Sequence, residues 1–205
     1  SACEPPAAPE GVFQLPCVPN QPVAPDKYDD VATEIIANAV GNDATESVES
    51  RLGQALHRLL EWVAPTSGGL ARDAEPWTAH QLAGVARAFD LDAAHLEIAR
   101  TWALAVLHGQ GAWAWDSDQF DWAANEVPLI VQGRQRRLDR LVRQRPSGAW
   151  WVLDYKSAAH PLDDPALRQQ LHTYREAVAL AYPGYTVHAA FLTPQGLLLP
   201  LPTHP

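Results

Sequence analysis

Asp139, Asp154 and Lys156 are the residues whose types and spacing point first to chemistry. The stretch Trp150 to Ser157, WWVLDYKS, is a run of strand formers that ends on an acid and a base two residues apart. Residues two apart in a strand share a face, so Asp154 and Lys156 lie side by side. The chain has 13 arginines and only two lysines, Lys27 and Lys156. A lysine at this point is therefore a departure from its habit. The preceding RRLDRLV reads as a second strand, with the turn RPSG between them. If Arg145 pairs with Gly148, paired positions sum to 293 and Asp139 faces Asp154, with roughly 4.5–5.5 Å between their Cβ atoms. A bulge at Gly148 would shift that register by one. Two facing carboxylates repel unless a proton or cation lies between them. One reading is a divalent cation on oxygen ligands. The other is a solvated face on which Asp139 pairs with an arginine and Asp154 with Lys156.

Further residues extend the set. His57 lies off the apolar stripe of a helix, with Gly53 one turn before it and Glu61 one turn after. Gly53 would let another backbone approach closely. Glu126 opens the first strand as a secondary candidate, and Gln170 and Tyr174 share a face of a later helix. A basic strip of six arginines (Arg134, Arg136, Arg137, Arg140, Arg143, Arg145) surrounds Asp139. Its members either contact phosphates or form the solvated face of a strand. Trp113, Trp115 and Trp122 either stack on bases or fill gaps in a core, the commoner use.

The elements that must position these residues follow from periodicity. NDATESVESRLGQALHRLLEWV carries Val48, Leu52, Leu56, Leu59 and Val63 at helical spacing, with Asp43 and Glu46 as a capping box. Helices are predicted over about 79–90 and 93–108. EVPLIVQ, RRLDRLV and AWWVLDYKS are three strands. Asp164-Pro165 starts a helix that runs to about Tyr182, and YTVHAAFLT and LLLPL are further strands. The expected fold is α/β (α+β), a small mixed sheet with helices on both faces, in the order α-β-β-β-α-β. Residues 1–26, with seven prolines, read as a tail or linker, and 27–205 as one domain.

Composition narrows the function classes. A formal charge of −9 argues against a protein that coats nucleic acid by charge alone, and the single basic strip suggests a polyanion held at one place. No apolar run is long enough to cross a membrane. Cys3 and Cys17 are too few for a disulfide framework, so a reducing cytoplasm is expected.

The ordered series GQALHRLLEW, EVPL, RRLDRLV, WVLDYKS and QQLHTY, over about residues 43–193, resembles the RecB-type nuclease domain of the PD-(D/E)XK superfamily, found at the C-terminal end of bacterial helicase–nucleases of the RecBCD and AddAB kind. The resemblance implies that His57, Asp139, Asp154 and the backbone carbonyl of Tyr155 bind Mg²⁺ or Mn²⁺, and that Lys156 is the catalytic lysine. Gln170 and Tyr174 match the family's QLxxY motif, beside the active site and the DNA. Arg134, Arg136, Arg137 and Arg140 become candidate DNA contacts. Arg136 and Arg137 stand where the family often has a glycine. Without the cysteines of an iron–sulfur cluster, the AddA or RecB side is closer. The chain has no GxxxxGK[ST], so it is not the ATP-driven motor, and a helicase domain or subunit is the expected partner. The implied function is a metal-dependent DNA nuclease acting on single strands or duplex ends in double-strand break repair and recombination, in a bacterial cytoplasm. A catalytically silent module that binds DNA or partner subunits is the alternative.

Overall fold

A computed structural model describes residues 47–131 and 133–202. The proline-rich segment 1–26 and the Asp43–Glu46 box lie outside the described residues. Helix α1 (Val48–Glu61) opens instead at Ser47, whose side chain accepts from the Ser50 N–H at 3.2 Å. It buries Leu52, Ala55, Leu56, Leu59 and Leu60. Helix α2 (Ala79–Ala88) starts at a reciprocal Thr78–Gln81 capping box, and α3 (Ala93–His108) at Asp92, whose carboxylate accepts from His95 N–H. Each cap satisfies amides that a helix start leaves without partners.

Five strands follow a short 3₁₀ turn at Ala112–Trp115. They are β1 (Phe120–Val131), β2 (Arg134–Gln144), β3 (Trp150–Tyr155), β4 (Val187–Leu192) and β5 (Leu198–Pro200). Helix α4 (Pro165–Ala181) joins β3 to β4; Asp164 caps it and Pro165 opens it. The sheet order is β1-β2-β3-β4-β5. Within this sheet β3 and β4 pair in parallel, because a helical crossover and not a hairpin connects them, and the other three pairings are antiparallel. The expected mixed α/β fold is the observed one. One strand was read too short: β1 begins at Phe120, so Glu126 sits in mid-strand and not at its start.

Both faces of the sheet are covered. On one, α1, α2 and α3 pack over Val142, Leu153, Tyr155, Ala190 and Leu192; on the other, α4 packs over Leu141, Trp150, Val152, Ala189 and Phe191. Strand β3 supplies alternate residues to the two cores, which is why it reads as a continuous apolar run. The β4–β5 turn is pressed onto the end of α3. A Cβ on Gly196 would lie 2.4 Å from the Ala105 carbonyl oxygen, and Gln110 N–H donates to Gly196 at 2.8 Å. Gly196 also has φ +74°, so only glycine meets both demands without strain. Among the described residues, no helix is long and apolar enough to cross a membrane.

Candidate active site

The hairpin arithmetic holds. β2 and β3 pair Arg140 with Leu153, Leu141 with Val152, Val142 with Trp151 and Arg143 with Trp150, all at the sum 293. Continuing that register by one residue brings Asp139 opposite Asp154. β1 and β2 pair Asn125 with Arg140 and Val127 with Leu138, which sets Glu126 opposite Asp139. Three carboxylates thus stand in one row across three adjacent strands. Glu126 has φ +54°, a left-handed conformation that non-glycine residues rarely adopt. Backbone of this kind gathers at functional sites.

His57 reaches the row from α1. Its Nε2 lies 3.0 Å from the Tyr155 carbonyl oxygen and its Nδ1 lies 3.4 Å from Asp139 Oδ1. The ring meets Tyr155 edge-on at 5.3 Å. Asp139 is held from the other side, where its Oδ2 accepts from Tyr155 N–H at 2.7 Å. Gly53 is not what admits this approach. Its nearest neighbour is the Ser157 side chain, at a distance of 3.6 Å from an added Cβ, an ordinary contact.

Each carboxylate has a cation of its own: Asp139 has His57, Asp154 has Lys156 Nζ at 2.7 Å, and Glu126 has Arg137 Nε. Three buried or half-buried anions side by side would otherwise repel strongly. Burial opposes the charged form of His57, but the charge and hydrogen bond of Asp139 outweigh it, and its pKa is pushed up to about 9. The ring is then an imidazolium at neutral pH, donating to both Tyr155 O and Asp139. Burial likewise works against ionised Asp139, yet His57 and Lys156 hold its pKa below the usual carboxylate value. Asp154 is raised, by burial first and by Asp139 second, against the pull of Lys156. Glu126 is raised by burial, which Arg137 offsets only in part. Lys156 is raised although burial disfavours its charge, because Asp154 and Asp139 favour it.

One ligand atom from each of His57, Glu126 and Asp139 can be found such that all lie within 4.8 Å of one another. The expectation of His57, Asp139, Asp154 and Tyr155 O gave Glu126 a secondary place; the geometry puts it among the three that converge. The signal was present: a first hairpin that pairs Val131 with Arg134 has positions that sum to 265, and 139 then falls opposite 126. Gln170 and Tyr174 do meet, Gln170 Nε2 donating to the Tyr174 hydroxyl at 2.8 Å. Tyr174 is buried, and the Asp154, Asp139 and Lys156 charges all act on it.

The basic strip divides. Arg134, Arg137 and Arg145 are exposed and Arg136 is half-buried. Arg143 stacks over the Tyr185 ring at 5.0 Å and faces Asp121. Arg140 corrects the expectation of a DNA contact. It is 1% exposed, its Nε donates to the Ala114 carbonyl at 3.1 Å, Nη1 donates to Asn125 Oδ1, and its guanidinium lies 4.6 Å from the Trp115 ring centre. Alternation along β2 sends it into the core, away from Asp139. Trp115 is buried there too; Trp113 packs against the same core and Trp122 against Trp150.

The donor set suits a hard divalent cation: carboxylate oxygens, one carbonyl oxygen and one imidazole nitrogen. A family model described as the PD-(D/E)XK nuclease superfamily matches residues 34–198. No curated protein gives a significant match to the chain.

Proposed function

This chain belongs to the PD-(D/E)XK nuclease superfamily, and on that premise we propose that it is a metal-dependent deoxyribonuclease hydrolysing phosphodiester bonds. The observation that carries the reading is the row Glu126, Asp139 and Asp154 with Lys156 Nζ 2.7 Å from Asp154. His57, Glu126, Asp139, Asp154 and the Tyr155 carbonyl would hold Mg²⁺ or Mn²⁺. When bound, such an ion polarises a phosphate oxygen and makes a water molecule acidic enough to attack at neutral pH. For that set to bind, the His57 imidazolium must give up a proton, so in the metal-free protein that proton stands where positive charge is needed. Lys156, kept protonated by two carboxylates, supplies a compact charge for the attacking water or the phosphate oxygens. Gln170 fixes the Tyr174 hydroxyl beside the same acids.

The finer reading rests on the QLHTY and WVLDYKS motifs and on the histidine in α1. It is a RecB- or AddA-type nuclease domain spanning 27–205 after a 1–26 linker, in a bacterial cytoplasm. It acts with a helicase domain or subunit in double-strand break repair, and Arg134, Arg136 and Arg137 contact the DNA. The test is cleavage of labelled linear and circular single-stranded DNA. Mg²⁺ or Mn²⁺ should support cutting and EDTA should abolish it. If no substrate is cut with either ion, the reading fails in favour of a silent nuclease-like module.

A further inference from the structure

β3 pairs with β2 only over Arg140–Arg143, whereas β1 and β2 stay paired out to Val131 and Arg134. Residues 127–131 and 134–138 therefore form a two-stranded ribbon running past the rest of the sheet. At about 3.3 Å per residue its tip lies roughly 16 Å beyond Glu126. One face of the ribbon is anchored: Val127 and Leu138 are buried, and Leu129 packs against the α4-side core. The opposite face carries Pro128 paired with Arg137 and Ile130 paired with Gln135, and all four are exposed. Ile130 is 73% exposed, and the exposed Arg134, paired with Val131, projects from the reverse face.

No packing in the fold requires an isoleucine there, and an apolar residue on a projecting ribbon is an aggregation liability. Arg137, held by Glu126, shares the face of Ile130, and Arg134 and Arg136 project from the reverse face of the same ribbon, in a chain of net charge −9. Cationic side chains bordering an apolar tip match a duplex nucleic acid, whose phosphates attract the arginines while the apolar group enters between base steps. Glu126 and Asp139 lie at the root of the same ribbon. We infer that the ribbon is a wedge: Ile130, with Pro128 beside it, unstacks the last base pairs of a duplex end, and one freed strand passes to the carboxylate row. This rests on the nuclease reading and names its substrate, a duplex end opened by the protein itself without ATP.

The experiment uses the full chain and a blunt DNA duplex carrying 2-aminopurine at the penultimate base pair, with divalent ions chelated so that nothing is cut. Saturating protein should raise the 2-aminopurine fluorescence, Ile130→Ala should abolish the rise, and Ile130→Leu should restore it. With Mg²⁺, the ratio of blunt-duplex to single-strand cleavage should fall on the order of tenfold in Ile130→Ala. A duplex with a preformed fork should recover most of that loss. The wedge is overturned if fluorescence does not rise with wild type, whether through absent binding or binding without unstacking. An unchanged cleavage ratio in Ile130→Ala overturns it too, as does a change in that variant confined to self-association by light scattering. A chain that raises fluorescence yet cuts neither substrate keeps the wedge and sinks the nuclease reading instead.

Discussion

Replacing Lys156 with methionine separates a metal-binding module from a working nuclease. Methionine keeps an unbranched apolar stem in the place of the lysine, whose side chain is 21% exposed, and removes only the charge. Asp154, with a side chain 8% exposed, is then left without its ammonium partner at 2.7 Å. Removing one partner of a buried pair costs about 3–5 kcal/mol. Asp154 is already raised by burial and can take up a proton, so the lower end applies, about 3 kcal/mol. For a chain of this size that corresponds to a fall in melting temperature of roughly 6–12 °C in the metal-free protein. Saturating Mn²⁺ should narrow the gap, because the cation replaces the missing charge and binds only the native state. Metal affinity by calorimetry should stay equal or tighten, since one repelling positive charge has gone. Single-turnover cleavage should nonetheless drop by about a hundredfold or more, the usual loss for a positioned catalytic group. Cutting at the wild-type rate, or a melting gap that Mn²⁺ leaves untouched, would refute the assignment.

Arg140→Leu should destabilise the fold by about 2–4 kcal/mol in urea unfolding, because the Ala114 carbonyl and Asn125 Oδ1 lose their buried donor. Arg134→Ala should leave stability unchanged and lower the slope of log affinity against log salt for DNA by about one. In the metal-free protein, His57 is raised to about 9, so its contribution is complete below pH 6.5 and lost as pH rises towards 9. Chemical denaturation across that window should show stability falling, and His57→Gln should flatten the curve. Asp139→Ala should abolish the rise in melting temperature that Mg²⁺ or Mn²⁺ produces in wild type; a variant that responds normally would place the ion elsewhere.

Much of the site was legible because hairpins are local. A turn and a two-residue pleat period suffice to place Asp139 opposite Asp154, and the pairing of Arg140 with Leu153 keeps that register. The same holds for helix ends: Asp164 before Pro165 starts α4 through contacts within three residues. QLHTY placed Gln170 and Tyr174 one turn apart, close enough for their hydrogen bond.

Tertiary structure decided the rest. His57 meets the Tyr155 carbonyl across 98 positions of sequence, and no periodicity in α1 reveals which strand will pack beside its polar face. Arg140 and Asp139 are neighbours in a strip that looked uniformly basic. Pleat alternation carries one into the core and the other to the carboxylate row, and which face is which depends on helices folded elsewhere. Glu126 was read as a strand-end acid because its strand begins six residues earlier than its apolar pattern suggests, although the register of the first hairpin already set it opposite Asp139. Sequence alone determined the residues that could do chemistry and the local register between two of them. The fold determined which of them converge, because burying both sides of the sheet erases the alternation that would otherwise announce a strand's inner and outer face.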